Sequence, residues 1–155
     1  MWIPPEEKEP LLYHEPTRDK VGYFGAVRHR DGKFVYCRET ESFNAETFWN
    51  FLKRLRQVSS RSGRKAVIIL DNVRYHHATL HKEWRQDCSG SFQLEFLPAY
   101  SPELNSIERM WKVTRRLCIH NQYFESLSQV IEVIESQFEK WTKPNETLRK
   151  LCAII

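Results

Sequence analysis

The fold is decided by the stretch Val67-Ile68-Ile69-Leu70-Asp71-Asn72. Four consecutive apolar residues, three of them β-branched, are followed directly by an acid and an amide. A short apolar run bounded by polar residues predicts a fully buried, central strand. Open α/β sheets bind their ligands beyond the carboxyl ends of the strands, so the position makes Asp71 a candidate site residue. An equally good interpretation is that Asp71 and Asn72 begin a loop or cap the next helix.

The segments around this strand predict further strands and helices. Two runs joined by the turn His29-Arg30-Asp31-Gly32 predict an antiparallel hairpin. The order of the elements favours a mixed sheet flanked by helices, and the connections on both sides of residues 67–70 are long enough for parallel pairing. The predicted elements are strands 21–28, 33–37, 67–70 and 92–97 and helices 45–58, 76–84, 104–118 and 127–141.

Three of these helices have a clear apolar face, and that of the last helix consists of Val130, Ile131, Ile134 and Phe138. The first has Asn44 as its predicted N-cap and a face of Phe48, Trp49, Phe51, Leu52 and Leu55. The stripe of helix 104–118 consists of Ile107, Met110, Trp111, Thr114, Leu117 and Cys118.

Residues 1–20 are rich in proline and charge and predict an extended arm with a short edge strand at residues 11–14.

Composition limits the class of protein. A length of 155 residues indicates one domain with a substantial core. We expect this domain at residues 21–155, preceded by the arm at residues 1–20. No uncharged apolar run approaches the roughly 20 residues of a membrane span, and the N-terminus has no apolar signal-peptide region. We therefore expect a cytoplasmic protein. Four widely spaced cysteines favour neither a zinc module nor a disulfide framework. The net charge of +4 permits a nucleic-acid partner.

A second acid of interest, Glu108, follows the proline loop of residues 98–102. It lies on the flank of the apolar stripe of helix 104–118. The simplest interpretation is a surface pair with Lys112, worth about 0.3–0.5 kcal/mol. The charged residues that follow it on the helix are all basic, and no acid occurs before Glu125. This pattern fits phosphate contacts around a metal site as well as an ordinary solvated face. These basic residues are Arg109, Lys112, Arg115 and Arg116.

Three histidines, His76, His77 and His81, form another cluster. The pattern H-E-x-x-H is absent, which argues against a zinc site and favours local packing or contacts to a nucleic-acid backbone. The sequence also has no glycine-rich phosphate loop and no G-x-S-x-G elbow. These absences argue against nucleotide kinases and serine hydrolases.

Two motifs in the chain resemble those of one family. The segment LDNVRYH at residues 70–76 resembles the second-acid motif of IS630-type insertion-sequence transposases of the Tc1/mariner superfamily. The segment FLPAYSPELNSIERMW at residues 96–111 resembles their third-acid motif even more closely. Glu108 follows Asp71 by 37 residues, and a looser likeness extends from Trp2 to the last helix.

The resemblance implies a ribonuclease-H-like α/β fold and a triad of acids that binds two Mg²⁺ or Mn²⁺ ions. Asp71 and Glu108 are then the second and third catalytic and metal-binding acids, and both supply the oxygen ligands that hard cations prefer. DNA would be contacted by the four basic residues after Glu108, by Asn72, which could instead orient Asp71, and by His76. The partners implied are transposon ends and target DNA, with no membrane.

The chain departs from the family at its start. In the family the first acid lies on a central strand upstream of a tryptophan that Trp2 matches, and here only Asp19 and Asp31 are early aspartates. We therefore expect a partial domain that lacks its first strand and exposes apolar surface. The expected function is that of a DNA transposase catalytic domain, truncated or split and nearly inactive alone, whose partner is an upstream transposase half or a second copy. The alternative is a non-catalytic DNA- or protein-binding module of the same fold.

Overall fold

The computed structural model describes residues 12–13 and 20–153. The chain divides into two compact units, the first formed by Met1–Thr40 with Ser106–Ile155 and the second by Glu41–Asn105. The strands are β1 Leu12–Tyr13, β2 Lys20–Val27, β3 Phe34–Glu39, β4 Ala66–Leu70 and β5 Phe92–Phe96. The helices are α1 Ala45–Ser60, α2 Lys82–Cys88, α3 Ile107–Cys118, α4 Leu127–Trp141 and α5 Glu146–Leu151.

The first unit contains an antiparallel sheet in the order β1-β2-β3. The predicted hairpin is confirmed, with Val27 of β2 opposite Phe34 of β3. The predicted edge strand is present as β1, which pairs with the start of β2. Most of the predicted arm, including Trp2 and Asp19, lies outside the described residues, so the boundary at residue 20 stays a prediction.

The hairpin turn of this sheet is fixed by two sets of hydrogen bonds. Arg28 Nε donates to Asp31 Oδ1 at 2.8 Å, so Asp31 serves the turn. The backbone N–H of Asn145, the N-cap of α5, donates to the backbone oxygen of Asp31 at 2.8 Å. Asn145 Nδ2 donates to the backbone oxygen of Gly32 at 2.9 Å. The turn is therefore held against a helix that the sequence did not predict.

Helices α3 and α4 pack against the antiparallel sheet around Phe34, Met110, Ile134 and Phe138. Residue Leu117, predicted in the apolar stripe of α3, is instead 50% exposed. At 100° per residue it lies about 20° outside the arc of the buried positions. The helix also begins later than predicted, because residues 102–104 form a 3₁₀ turn and Asn105 is extended.

The second unit contains the parallel pair β4–β5, in which Leu70 lies opposite Phe96. Parallel pairing is confirmed, but the prediction that β4 is fully buried is wrong. Val67 is 51% and Ile69 44% exposed, whereas Leu70 is buried. Within the described residues β4 has a partner strand only on the β5 side, and the expected exposure of apolar surface is observed. Among the described residues the three antiparallel strands and the parallel pair form separate sheets, which fits the expected lack of a strand between them.

Helix α1 begins as the sequence predicts. Asn44 Oδ1 accepts hydrogen bonds from the N–H groups of Glu46 and Thr47 at 3.0 Å, and Thr47 Oγ1 accepts from the N–H of Asn44 at 3.0 Å. Its buried residues are Phe48, Phe51, Leu52 and Leu55, while Trp49 is half-buried.

The single helix predicted at residues 76–84 is wrong. Two 3₁₀ turns, Arg74–His77 and Thr79–His81, precede α2. They are separated by Ala78, whose extended backbone (ψ 143°) interrupts helical geometry.

The four cysteines are free, and three are buried. Burial raises the pKa of the Cys152 thiol to about 11, so this group stays protonated near neutral pH. Across the described residues, no helix has the length and apolar character needed to cross a bilayer.

Candidate active site

Asp71 lies where the parallel pair of the second unit ends. The ladder continues past the strands, because the N–H of Leu97 donates to the backbone oxygen of Leu70 at 2.8 Å. The Asp71 side chain is 32% exposed, which leaves its carboxylate accessible to a ligand. The location is the carboxyl edge of a parallel sheet, as predicted, and there such sheets bind ligands.

His76 holds Asp71 from the following 3₁₀ turn. Its Nδ1 lies 2.8 Å from the backbone oxygen of Asp71 and 3.2 Å from Oδ1 of the same residue. Both atoms are acceptors, so Nδ1 carries the hydrogen of the ring. The His76 side chain is only 10% exposed, and its ring lies 4.3 Å from the Phe48 ring, centroid to centroid. A DNA contact by His76 stays a prediction, and the contacts observed are within the protein.

Asn72 connects the ends of the two parallel strands. Its Nδ2 donates to the backbone oxygen of Leu97, and its Oδ1 lies 3.0 Å from Nε2 of His77. The His77 ring in turn stacks on Phe96 at 4.0 Å. These contacts position the loop that carries Asp71, whereas the predicted contact of Asn72 with DNA stays a prediction.

Glu108 lies in the first turn of α3, in the first unit. A carboxylate there is favoured by the partial positive charge of a helix N-terminus. The helix is fixed by Met110 and Trp111, which are buried in the core of the unit. Glu108 is half-buried.

The basic residues after Glu108 do not share one environment. Arg109 Nη1 donates to the backbone oxygens of Leu151 and Ala153, at 3.3 and 2.9 Å, and so closes the end of α5. Arg115 is half-buried, and its Nε has no hydrogen-bond partner among the described residues. Lys112 and Arg116 are exposed and, four positions apart, lie on one face of α3. Both are therefore available for phosphate groups.

The donors suit a hard divalent cation in kind, since carboxylate oxygens are the ligands that Mg²⁺ and Mn²⁺ prefer. Oδ1 of Asp71 contacts His76, and Oδ2 takes no part in that contact. The described residues, however, bring too few such donors together for a complete metal site. Residues 12–13 and 20–153 contain no group of three or more His, Cys, Asp or Glu placed to hold a metal ion.

The contact between His76 and Asp71 was not found from the sequence. The feature that could have predicted it is the separation of Asp71 and His76 by five residues. A 3₁₀ turn after an extended segment can bring two residues at this separation into contact. The sequence predicted a helix there, and a helix beginning at residue 76 would not have brought the ring back to Asp71. The hydrophobic partner Phe48 comes from α1 and is not local in sequence.

Comparison with known proteins identifies the family. The profile described as "DDE superfamily endonuclease" matches residues 1–131. The "Insertion element IS630 uncharacterized 39 kDa protein" of Shigella sonnei is 24% identical over 124 residues, 80% of this chain and 36% of that protein. The "Uncharacterized protein y4pE/y4sA" of Sinorhizobium fredii (strain NBRC 101917 / NGR234) is 30% identical over 113 residues, 70% of this chain and 75% of that protein. The chain thus spans about a third of the IS630 protein.

Solved structures show the same fold. The catalytic domain of Mos1 mariner transposase superimposes with a TM-score of 0.72 at 16% identity, over 93% of this chain and 72% of that one. The Mos1 strand transfer complex gives a TM-score of 0.66 at 17% identity, over 98% of this chain and 44% of that one. The ribonuclease-H-like α/β class and the resemblance to IS630-type and mariner transposases are confirmed. The chain belongs to the DDE superfamily endonuclease family.

Proposed function

We propose that this chain supplies two acids of a DNA transposase active site, which cleaves phosphodiester bonds and joins strands during DNA transposition. The observation that carries the proposal is the position of Asp71, at the carboxyl edge of a parallel strand pair in a DDE superfamily endonuclease. Glu108 on α3 is proposed as its companion, because it lies in the segment that resembles the third-acid motif.

Asp71 and Glu108 would hold Mg²⁺ or Mn²⁺. Such ions, when bound, activate water or a DNA 3′-hydroxyl and stabilise the leaving oxygen in an in-line displacement. Lys112 and Arg116 are proposed to neutralise phosphates of the DNA, because both are exposed and lie on one helix face. Arg109, Asn72 and His76 make contacts within the protein and are assigned a supporting role. The contact of the half-buried Arg115 with DNA stays a prediction.

A third carboxylate is proposed to come from outside the described residues, in an upstream transposase half or a second copy of the chain. Two acids alone hold cations weakly, since metal affinity grows with the number of charged ligands. The proposal therefore expects little or no DNA cleavage by the chain alone. Metal-dependent nicking by the purified chain, abolished by Asp71→Ala, would contradict this part of the proposal.

A second candidate is a DNA- or protein-binding module that reuses the fold without catalysis. It is favoured by the lack, within the described residues, of a cluster of three potential metal ligands. The two candidates differ in their response to metal. A working site predicts Mn²⁺-dependent stabilisation, whereas a module predicts salt-sensitive DNA binding that is indifferent to Mn²⁺.

The test is a titration of the metal-free chain with Mn²⁺. Calorimetry measures the binding, and thermal unfolding measures the stabilisation. Asp71→Asn and Glu108→Gln should each weaken Mn²⁺ binding and remove the stabilisation. Each has a control in its own unit that removes one exposed charge: Asp87→Asn on α2 and Glu132→Gln on α4. Equal loss in the controls would mean that only general electrostatic attraction is measured, and it would refute the proposed site.

A further inference from the structure

We infer that His76 is a positioning residue, whose Nδ1–H holds the Asp71 carboxylate in one orientation and leaves Oδ2 for the cation. The inference rests on the proposed function, because it concerns how one proposed ligand is presented. It assigns to His76 a role through Asp71 and not a contact with DNA.

One hydrogen on Nδ1 faces two acceptors of the same residue. The backbone oxygen of Asp71 lies at 2.8 Å and its Oδ1 at 3.2 Å. The hydrogen bond to the main-chain oxygen fixes the ring beside the side chain, and the N–H then attracts Oδ1 at 3.2 Å, which disfavours rotation of the carboxylate about the Cα–Cβ bond. Carboxylate ligands supported in this way lose less conformational freedom when they bind a metal, so the affinity is higher.

The imidazole is itself held in place. The backbone N–H of His76 donates to the oxygen of Val73 at 2.9 Å within the 3₁₀ turn. The ring lies 4.3 Å from the ring of Phe48 and 4.8 Å from that of Tyr75, to which it is perpendicular. Phe48 belongs to the capped first turns of α1, so the packing joins the site to a stable helix. A positioning residue needs such a fixed rotamer.

The neighbouring histidines provide the contrast. His77 is exposed and contacts Asn72 and Phe96. His81 is buried, and its Nε2 donates to the backbone oxygen of Tyr75 at 2.9 Å. Of the three histidines in this segment, His76 is the one with a contact to the Asp71 carboxylate.

Two substitutions separate the hydrogen bond from the packing. His76→Phe keeps an aromatic ring against Phe48 and removes the donor. His76→Asn keeps a donor near the position of Nδ1 and removes the ring. We expect Mn²⁺ affinity to fall by about ten-fold or more in His76→Phe, the range observed for outer-shell partners. It should stay within a few-fold of the wild type in His76→Asn, even where that variant unfolds at a lower temperature. His120→Phe, at an exposed position outside this segment, should bind Mn²⁺ as the wild type does.

A purely structural role predicts the opposite order, with Mn²⁺ affinity following the unfolding temperature and lowest in the variant without the ring. That order, or wild-type affinity in His76→Phe, overturns the inference. Failure of the proposed function has a different signature, because Asp71→Asn would then bind Mn²⁺ as tightly as the wild type.

A measurement without metal tests the same contact. Nitrogen-15 NMR of the metal-free chain in alkaline buffer should show the imidazole hydrogen of His76 on Nδ1. A hydrogen on Nε2 instead would overturn the inference whatever the metal titrations give, because Nδ1 could then donate to neither oxygen of Asp71.

Discussion

The indole of Trp111 covers Gly25 so closely that a Cβ at residue 25 would lie 2.7 Å from Cη2 of the ring. The same Cβ would lie 2.8 Å from Cε2 of Phe34. Gly25 is part of β2 and Trp111 part of α3, so the absent side chain lets the helix approach the sheet. The contact fixes the helix that carries Glu108, three residues before Trp111.

Gly25→Ala should therefore destabilise the first unit. A methyl group forced into a filled core typically costs about 1–3 kcal/mol, because both neighbouring rings must move. Urea unfolding measures the change. Gly90→Ala is the control, since a Cβ there has nothing within 4 Å. Equal stability of the two variants would show that the core around Trp111 can adapt without cost.

Gly32→Ala should lower the free energy of unfolding by more than the strain of a positive φ alone would. Gly32 has φ 74°, and its Cβ would lie 2.1 Å from the backbone oxygen of Asn145. Gly63 has φ 64° but open space around it, so Gly63→Ala isolates the backbone term of roughly 1–2 kcal/mol. Unfolding of both variants in urea separates the two effects. If they lose the same stability, the turn is not held tightly against α5.

His81 predicts a pH dependence of stability. Burial is the main cause that lowers its pKa from the ordinary 6.5, with smaller contributions from Arg85 and the neighbouring histidines. The unfolded chain then binds the proton more readily than the folded chain. Stability from this group is complete above about pH 6.5 and falls as the pH is lowered from there towards the folded pKa.

Unfolding free energies measured between pH 7.5 and about 5 test this prediction in His81→Phe, which should show a smaller loss on acidification than the wild type. His120→Gln, at an exposed position, is the control and should keep the wild-type slope. An unchanged slope in His81→Phe would assign the acid sensitivity to other groups.

The proposed phosphate contacts predict a change in salt dependence. The double variant Lys112→Gln/Arg116→Gln should weaken duplex DNA binding and reduce the slope of log affinity against log salt by about 0.9 for each phosphate that is no longer neutralised. Lys143→Gln/Lys150→Gln removes the same charge from exposed positions in the same unit. If the two double variants bind DNA with the same affinity and salt dependence, the binding depends only on net charge and not on Lys112 and Arg116.

Local patterns predicted the elements whose causes lie within a few residues. The cap at Asn44, the hairpin turn that contains Gly32 and the strand that ends just before Asp71 follow from side-chain chemistry and periodicity. The same patterns could not predict that Val67 and Ile69 are exposed, because the burial of a strand depends on which other segments pair with it. They also missed α5, although its N-cap Asn145, whose Oδ1 accepts from the N–H of Leu148, is a local signal.

For the site, the motifs pointed to Asp71 and Glu108 from the sequence, and their metal-binding roles remain predictions. The supporting contacts depend on distant partners. Arg109 was grouped with the DNA contacts because its neighbours are basic, but its guanidinium reaches carbonyl groups more than 40 residues later in the chain. Charge patterning cannot distinguish such a residue from a solvent-facing one.

The central claim is that Asp71 and Glu108 bind the same divalent cation. A double-variant cycle on Mn²⁺ affinity tests it most directly, with Asp71→Asn, Glu108→Gln and the two combined. If the residues share a cation, either substitution alone should remove most of the binding and the second should add little. Losses of binding free energy that simply add in the double variant, or single variants that bind Mn²⁺ as the wild type does, would contradict the claim.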